Sequence, residues 1–92
     1  MSNMKERRIH KYTLAVMDEQ TLLLPRGARI MTIQVQAGQP QLWAYVDPTK
    51  PKEARKIRVI GTGRMIDDDP GDYLGTFQMH AGALVFHVFE AR

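Results

Sequence analysis

The sequence predicts an all-β chain, mainly antiparallel, folded as a small β-sandwich or barrel of about six or seven strands. Three observations predict it. Apolar residues alternate with polar ones at a period of two in several short runs. Turn-forming Gly, Pro and Asp residues separate those runs at fairly regular intervals. No stretch of ten or more residues carries a helical repeat of apolar positions, and the segment 49–56 is the best place for a single helical turn. With 92 residues and 43% hydrophobic content, the chain has the makings of one domain with one modest core.

In chain order, residues 1–8 read as a flexible basic tail and residues 9–92 as the β-rich domain. Ile9 to Val16 alternates, with Tyr12, Leu14 and Val16 on one face. Met17 to Gln20 is a polar connection, and Thr21-Leu22-Leu23-Leu24 is a short apolar run ended by Pro25, which cannot donate to a ladder. Pro25-Arg26-Gly27 is a turn. Met31, Ile33 and Val35 alternate with Thr32, Gln34 and Gln36 as a half-buried strand, and Ala37-Gly38-Gln39-Pro40 turns the chain back. The return strand, Gln41 to Val46, has Leu42, Ala44 and Val46 on one side and Trp43 and Tyr45 on the other, so both of its faces are apolar. Asp47 to Glu53 is a loop with two prolines. Lys56 to Thr62 is a strand broken by Gly61-Thr62-Gly63, and Met65 to Asp72 is a loop closed by Pro70-Gly71. Tyr73 to Met79 places Tyr73, Phe77 and Met79 together, with Gly75 marking a bulge or a close backbone approach. His80-Ala81-Gly82 turns into a last strand with Leu84, Phe86 and Val88 opposed to Val85, His87 and Phe89.

Composition excludes several classes of chemistry. The absence of cysteine removes disulfides, thiolate metal sites and Cys nucleophiles. The one serine, Ser2, lies in the tail, which leaves serine hydrolysis without a nucleophile. The histidines, His10, His80 and His87, have no ligand spacing, and Asp67-Asp68-Asp69 with Asp72 lacks the alternation and closing Glu of a calcium loop, so no metal and no cofactor is expected. No acid/base pair is visible, and the chain reads as a non-enzyme. No apolar run is long enough to cross a bilayer as a helix, and no apolar region follows the basic N-terminus as in a secretory signal, so a cytoplasmic, membrane-free protein is expected.

Charge is unevenly distributed within a total of +3. Bases gather at residues 1–11 and 50–64, and the four acids Asp67, Asp68, Asp69 and Asp72 follow directly. Around the second basic run, Arg58, Gly61, Thr62, Gly63 and Arg64 form a candidate anion site: glycines expose backbone N–H groups and the arginines bring planar forks. No Lys-Ser/Thr and no helix follow, as a phosphate-binding P-loop requires. Trp43, Tyr45, Val85 and Phe89 form a candidate interface, because a two-faced strand leaves apolar residues outside the core. Nucleic acid ranks behind protein and small-molecule partners, since no aromatic residues interleave with the bases along the chain.

Pro25-Arg26-Gly27-Ala28, the run from Met31 through Asp47-Pro48, Gly61-Thr62-Gly63, Gly75-Thr76-Phe77-Gln78 and Gly82 to Glu90 together resemble a family of small uncharacterised proteins encoded by bacteriophages and prophages. The likeness spans residues 9–90, and where the family has a Gly-Thr-Gly-His-like segment this chain has Arg64. The resemblance implies an accessory role in an infected bacterial cytoplasm, modulating a host process or defence. Three expectations follow: an oligomeric module that binds a host or phage protein, a protein that sequesters an anionic or nucleotide-like small molecule, and a nucleic-acid binder working through its basic segments.

Overall fold

A computed structural model describes residues 6–66 and 68–92. Seven strands run in the order β1 (Arg8–Thr13), β2 (Glu19–Pro25), β3 (Arg29–Gln36), β4 (Gln39–Val46), β5 (Lys52–Gly61), β6 (Asp72–Met79) and β7 (Leu84–Glu90). All pairings are antiparallel: β1-β4-β3 forms one sheet and β2-β5-β7-β6 the other. This is the sandwich-like all-β architecture expected from the alternation. Among the described residues there is no helix, and the segment 49–56 is a turn followed by the start of β5. Of the expected tail, residues 1–5 lie outside the described residues, and Arg8 already belongs to β1.

The core follows from the period of two. Leu42, Ala44 and Val46 of β4 face Ile57 and Val59 of β5, Val88 of β7, Phe77 of β6 and Leu24 of β2 in one buried cluster. Each such aliphatic side chain, fully withdrawn from water, contributes roughly 1.5–3 kcal/mol. Arg55 closes one end of this core: its guanidinium bridges the Glu90 carboxylate, with Nη2 donating to Oε1 at 3.0 Å, while Nη1 donates to the Ala28 carbonyl at 3.0 Å. These bonds hold the Arg55 pKa above its ordinary value, the Glu90 hydrogen bond first among the causes.

Two bulges change which residues share a face. The β3–β4 register shifts at Met31, so Ile30 and Ile33 point to the core while Met31 is exposed. The β6–β7 register shifts at Leu74, so Tyr73 lies on the outer face and Phe77 and Met79 on the inner one, separating a trio the alternation had placed together. At Gly75 the expected bulge and the close approach coincide: a Cβ there would meet the Ile33 side chain at 3.1 and 3.2 Å, where β6 passes β3 of the other sheet. The β3–β4 hairpin turns on Ala37 and Gly38 alone, both at positive φ (51° and 77°), as a two-residue primed turn requires. Gln39 and Pro40 therefore belong to β4 rather than to the turn. Pro40 is tolerated because regular β1 pairing has stopped beside it: its carbonyl accepts from the Leu14 N–H at 2.9 Å, and no N–H is needed. Val16 lies past the end of β1 and is exposed.

Candidate functional site

The residues singled out in the sequence fall at three places. Arg58 and Arg64 meet at a cleft of about 480 Å³, lined also by Asp18, Glu19, Ile60, Met65, Ile66 and Asp68. The guanidiniums there are already matched: Arg58 lies 4.0 Å from Glu19 and 3.6 Å from Asp68, and Arg64 lies 3.3 Å from Asp18. Two backbone N–H groups of the Gly61–Arg64 turn are occupied as well, Thr62 N–H donating to Val85 O at 3.0 Å and Arg64 N–H to Gly61 O at 3.1 Å. The fold thus brings Arg58 and Arg64 together but surrounds them with carboxylates, and Gly61, Thr62 and Gly63 do not line that cleft. The basic and acidic runs of the sequence compensate each other here; Asp67 itself lies outside the described residues.

Trp43, Tyr45, Val85 and Phe89 do not share a face. Trp43 and Tyr45 stand on the outer face of β1-β4-β3, and Val85 and Phe89 on the outer face of β2-β5-β7-β6. Alternation assigns each side chain to the outside of its own strand, but only the strand order shows that these outsides are opposite surfaces of the sandwich.

On the four-stranded outer face, His87 of β7 anchors a chain of polar contacts. Its Nε2 lies 2.7 Å from Thr62 Oγ1 and its Nδ1 lies 3.0 Å from Thr76 Oγ1, which in turn lies 2.5 Å from the Tyr73 hydroxyl. Which atoms donate depends on the tautomer of His87. A hydroxyl–imidazole–hydroxyl–phenol chain can pass a proton along itself, and it ties the turn after β5 to β6 and β7. Tyr73 packs edge-on against Phe89 at 5.6 Å. The bulge at Leu74 sets Tyr73 and Thr76 on one face, which plain alternation could not show. Among the described residues no group of three or more His, Asp or Glu side chains is placed to hold a metal ion.

The three-stranded outer face is built differently. Lys11 Nζ sits 5.6 Å from the centre of the Trp43 ring, and the Arg29 guanidinium carbon lies 5.3 Å from the centre of the Tyr45 ring. Register places these pairs: Lys11 is opposite Trp43 and Arg29 opposite Tyr45. Lys11 also donates to Gln36 Oε1 at 2.8 Å, spanning from β1 across β4 to β3. Gln41 is buried beside them and takes the Thr13 hydroxyl at 3.0 Å. The Trp43 indole N–H is buried with no hydrogen-bond partner in the protein.

At the Tyr45 end of this face, Arg7, Arg26, Arg29 and Lys50 line a cleft of about 370 Å³ together with Gly27, Val46 and Asp47. Asp47 accepts from Thr49 Oγ1 at 2.6 Å, from Thr49 N–H at 3.0 Å and from Arg7 Nη1 at 2.8 Å. Those contacts, the Thr49 hydroxyl first, hold its carboxyl below the ordinary carboxylate value. The sequence contained a signal for this cleft that linear reading missed. The Pro25–Gly27 turn and the β3–β4 hairpin fix Arg29 opposite Tyr45, yet Arg26 and Arg29 lie outside both basic runs.

The fold and its exposed groups define a small β-sandwich with two chemically distinct outer faces and a cleft in which four bases meet Asp47. The chain belongs to the family described as a domain of unknown function, DUF7352, which matches residues 5–92. No curated protein and no solved structure matches it.

Proposed function

We propose that the protein is a non-enzymatic binding module that holds single-stranded nucleic acid on the outer face of β1-β4-β3. One observation carries this reading: Trp43 and Tyr45 stand side by side on the central strand, each with a cation from a neighbouring strand against its ring. Bases interleave with aromatics in space although they do not in the sequence. Stacking platforms within a positive surface are what sequence-tolerant strand binding requires, because every base has a π-face and every nucleotide a phosphate. The two cations sit where bases would stack, and both side chains are long enough to swing to a phosphate as a base arrives. Of the acids among the described residues, Asp47 alone lines the adjoining cleft. The resemblance to bacteriophage and prophage proteins supports a setting in an infected bacterial cytoplasm.

Trp43 is the one tryptophan of the chain and therefore reports on its own face. Titration with oligothymidylate is expected to quench its fluorescence. The apparent affinity is expected to fall with salt at a log–log slope of roughly −2 to −3, for three or four phosphates at about 0.7 each. Unchanged fluorescence together with no shift in anisotropy of a labelled strand at low salt removes the reading.

A reading as an oligomeric protein-interaction module is favoured by the other face, where Tyr73 is 60% exposed beside Phe89 and Leu23 of β2 is also 60% exposed. Native mass spectrometry tests it: discrete oligomers support it, and a monomer at all concentrations removes it.

A further inference from the structure

The geometry points to a second element of recognition: the cleft between Arg7, Arg26, Arg29 and Lys50 is a phosphate site that takes a phosphomonoester, the terminal phosphate of a strand lying on the neighbouring face. The inference rests on the strand-binding reading for its macromolecular ligand, and on separate observations for its chemistry.

The four bases come from four parts of the chain. Arg7 precedes β1, Arg26 lies in the β2–β3 turn, Arg29 opens β3 and Lys50 lies in the β4–β5 connection. The sheet order brings them together. Antiparallel pairing sets Arg8 opposite Val46 and Arg29 opposite Tyr45, so the start of β1, the end of β4 and the start of β3 meet at one end of the sheet. Like charges gathered by four independent segments repel one another, and an anion between them relieves that cost.

Charge accounting separates this cleft from the one holding Arg58 and Arg64. There, each guanidinium has a carboxylate within 4.0 Å. Here, Asp47 is committed to Thr49 and Arg7, so it tethers Arg7 at the rim. Glu53, whose Oε2 is 3.4 Å from the Gly27 N–H, lies 3.9 Å from Arg55 Nη1. Among the described residues Arg26, Arg29 and Lys50 have no carboxylate within 4.0 Å.

Two guanidinium forks and an ammonium suit a phosphate with several free oxygens. A phosphomonoester has three such oxygens and about −1.5 to −2 charge at pH 7, against −1 for the diesters within a strand. The volume of about 370 Å³ lies at the small end of the range for ligand pockets, large enough for a phosphate and part of its nucleoside. Tyr45 lines the same cleft, with Arg29 against its ring, so a terminal base next to the bound phosphate has a stacking partner. The position at the end of the sheet, where the face runs out, fits a strand terminus better than its middle.

The test compares oligothymidylates that differ only in a 5′-phosphate, a 3′-phosphate or neither, titrated into the whole chain with Trp43 fluorescence as readout. Inorganic phosphate and AMP are titrated in parallel by calorimetry. One phosphorylated end is expected to bind about tenfold tighter than the hydroxyl-ended strand, in keeping with a charge-assisted, multidentate contact. The variant Arg26→Ala, checked for an unchanged melting temperature and chosen because Arg29 also serves the strand-binding face, is expected to lose most of that advantage while binding the hydroxyl-ended strand within about threefold of the native chain. Equal affinity for all three strands in the native protein overturns the cleft inference and leaves the strand-binding face standing. If no strand binds but phosphate or AMP releases heat that Arg26→Ala largely removes, the phosphate site stands with a free ligand as its source, and strand binding falls. No binding of strands, phosphate or AMP overturns both.

Discussion

The two outer faces of the sandwich solve the same problem in opposite ways. Each must present side chains to solvent from strands that bury their other side. The four-stranded face satisfies its groups internally: His87 has a hydroxyl at each ring nitrogen, and Arg58 and Arg64 near its margin each have a carboxylate. The three-stranded face leaves its groups reaching outward, with cations resting on aromatic rings and three bases at its end without carboxylate partners among the described residues. A polar surface whose groups satisfy one another contributes to its own order, whereas one whose charges are left open has favourable energy in reserve for a partner. The comparison therefore predicts that stability and binding separate by face.

The largest expected effect comes from Gly71, at the entrance to β6. A Cβ at that position would lie 2.1 Å from the backbone oxygen of Glu90, and its φ of +111° disfavours any other residue. Gly71→Ala is expected to cost about 2–3 kcal/mol in a denaturant titration, since backbone must move on the side that holds β7. Strand affinity, measured where the variant remains folded, is expected to stay within about twofold of the native value. A parallel loss of affinity would mean that the two faces are not separable.

Next comes Trp43→Ala. Loss of one stacking platform is expected to weaken strand binding by about 1–3 kcal/mol, followed by anisotropy of a labelled oligonucleotide because the fluorescent reporter is gone. Trp43→Phe is expected to recover much of that loss. His87→Gln on the opposite face is expected to leave affinity unchanged and to lower stability by about 1 kcal/mol through the broken hydroxyl chain. If His87→Gln weakened binding more than Trp43→Ala did, the working surface would be assigned to the wrong side.

Legibility in the sequence also differs between the faces and the core. The core was readable because burial imposes a strict rule: Leu42, Ala44 and Val46 alternate, and all three are buried. The strand count was readable because Pro25, Pro70-Gly71 and Ala37-Gly38 punctuate the chain. The bulge at Met31 was not, because one extra residue shifts the alternation without changing composition; Gly75 signalled the bulge in β6, but not that it would part Tyr73 from Phe77 and Met79. The basic cleft was hidden for a different reason. Its bases are scattered from Arg7 to Lys50, and only the order β1-β4-β3, which no local pattern encodes, gathers them. Conversely, the dense run from Lys50 to Arg64 looked like an anion surface, yet its arginines point to Glu19, Asp68, Asp18 and Glu90 once the chain folds.

A smaller effect sharpens the electrostatic half of the comparison. Lys50→Ala is expected to weaken binding of strands of different sequence by a similar factor and to reduce the steepness of the salt dependence by about 0.7, the share of one phosphate contact on a single strand. Lys56→Ala, on β5 of the other sheet, is expected to leave the slope unchanged. Equal changes from the two lysines would indicate a diffuse attraction to the whole molecule rather than a face.

The smallest effect concerns Asp47, the single acid lining the basic cleft among the described residues. Its carboxyl is held below the ordinary value of 3.8, chiefly by the Thr49 hydroxyl and N–H, with Arg7 adding to them. Because the folded-state value is the lower one, the stabilisation Asp47 supplies is complete above the unfolded value and is lost as the pH falls through the folded one. The melting temperatures of the native chain and Asp47→Asn should therefore differ by a constant amount between about pH 5 and 8 and converge only below about pH 4. Over the same neutral range the charge contributed by Asp47 is constant. Asp47→Asn is accordingly expected to raise affinity for a phosphorylated strand end by a small, pH-independent factor, about two- to threefold, by removing a like charge and releasing Arg7 toward the ligand. A weaker rather than tighter phosphate interaction in that variant would show that Asp47 acts mainly by positioning Arg7, and that the tether, more than the net charge, sets the cleft's affinity.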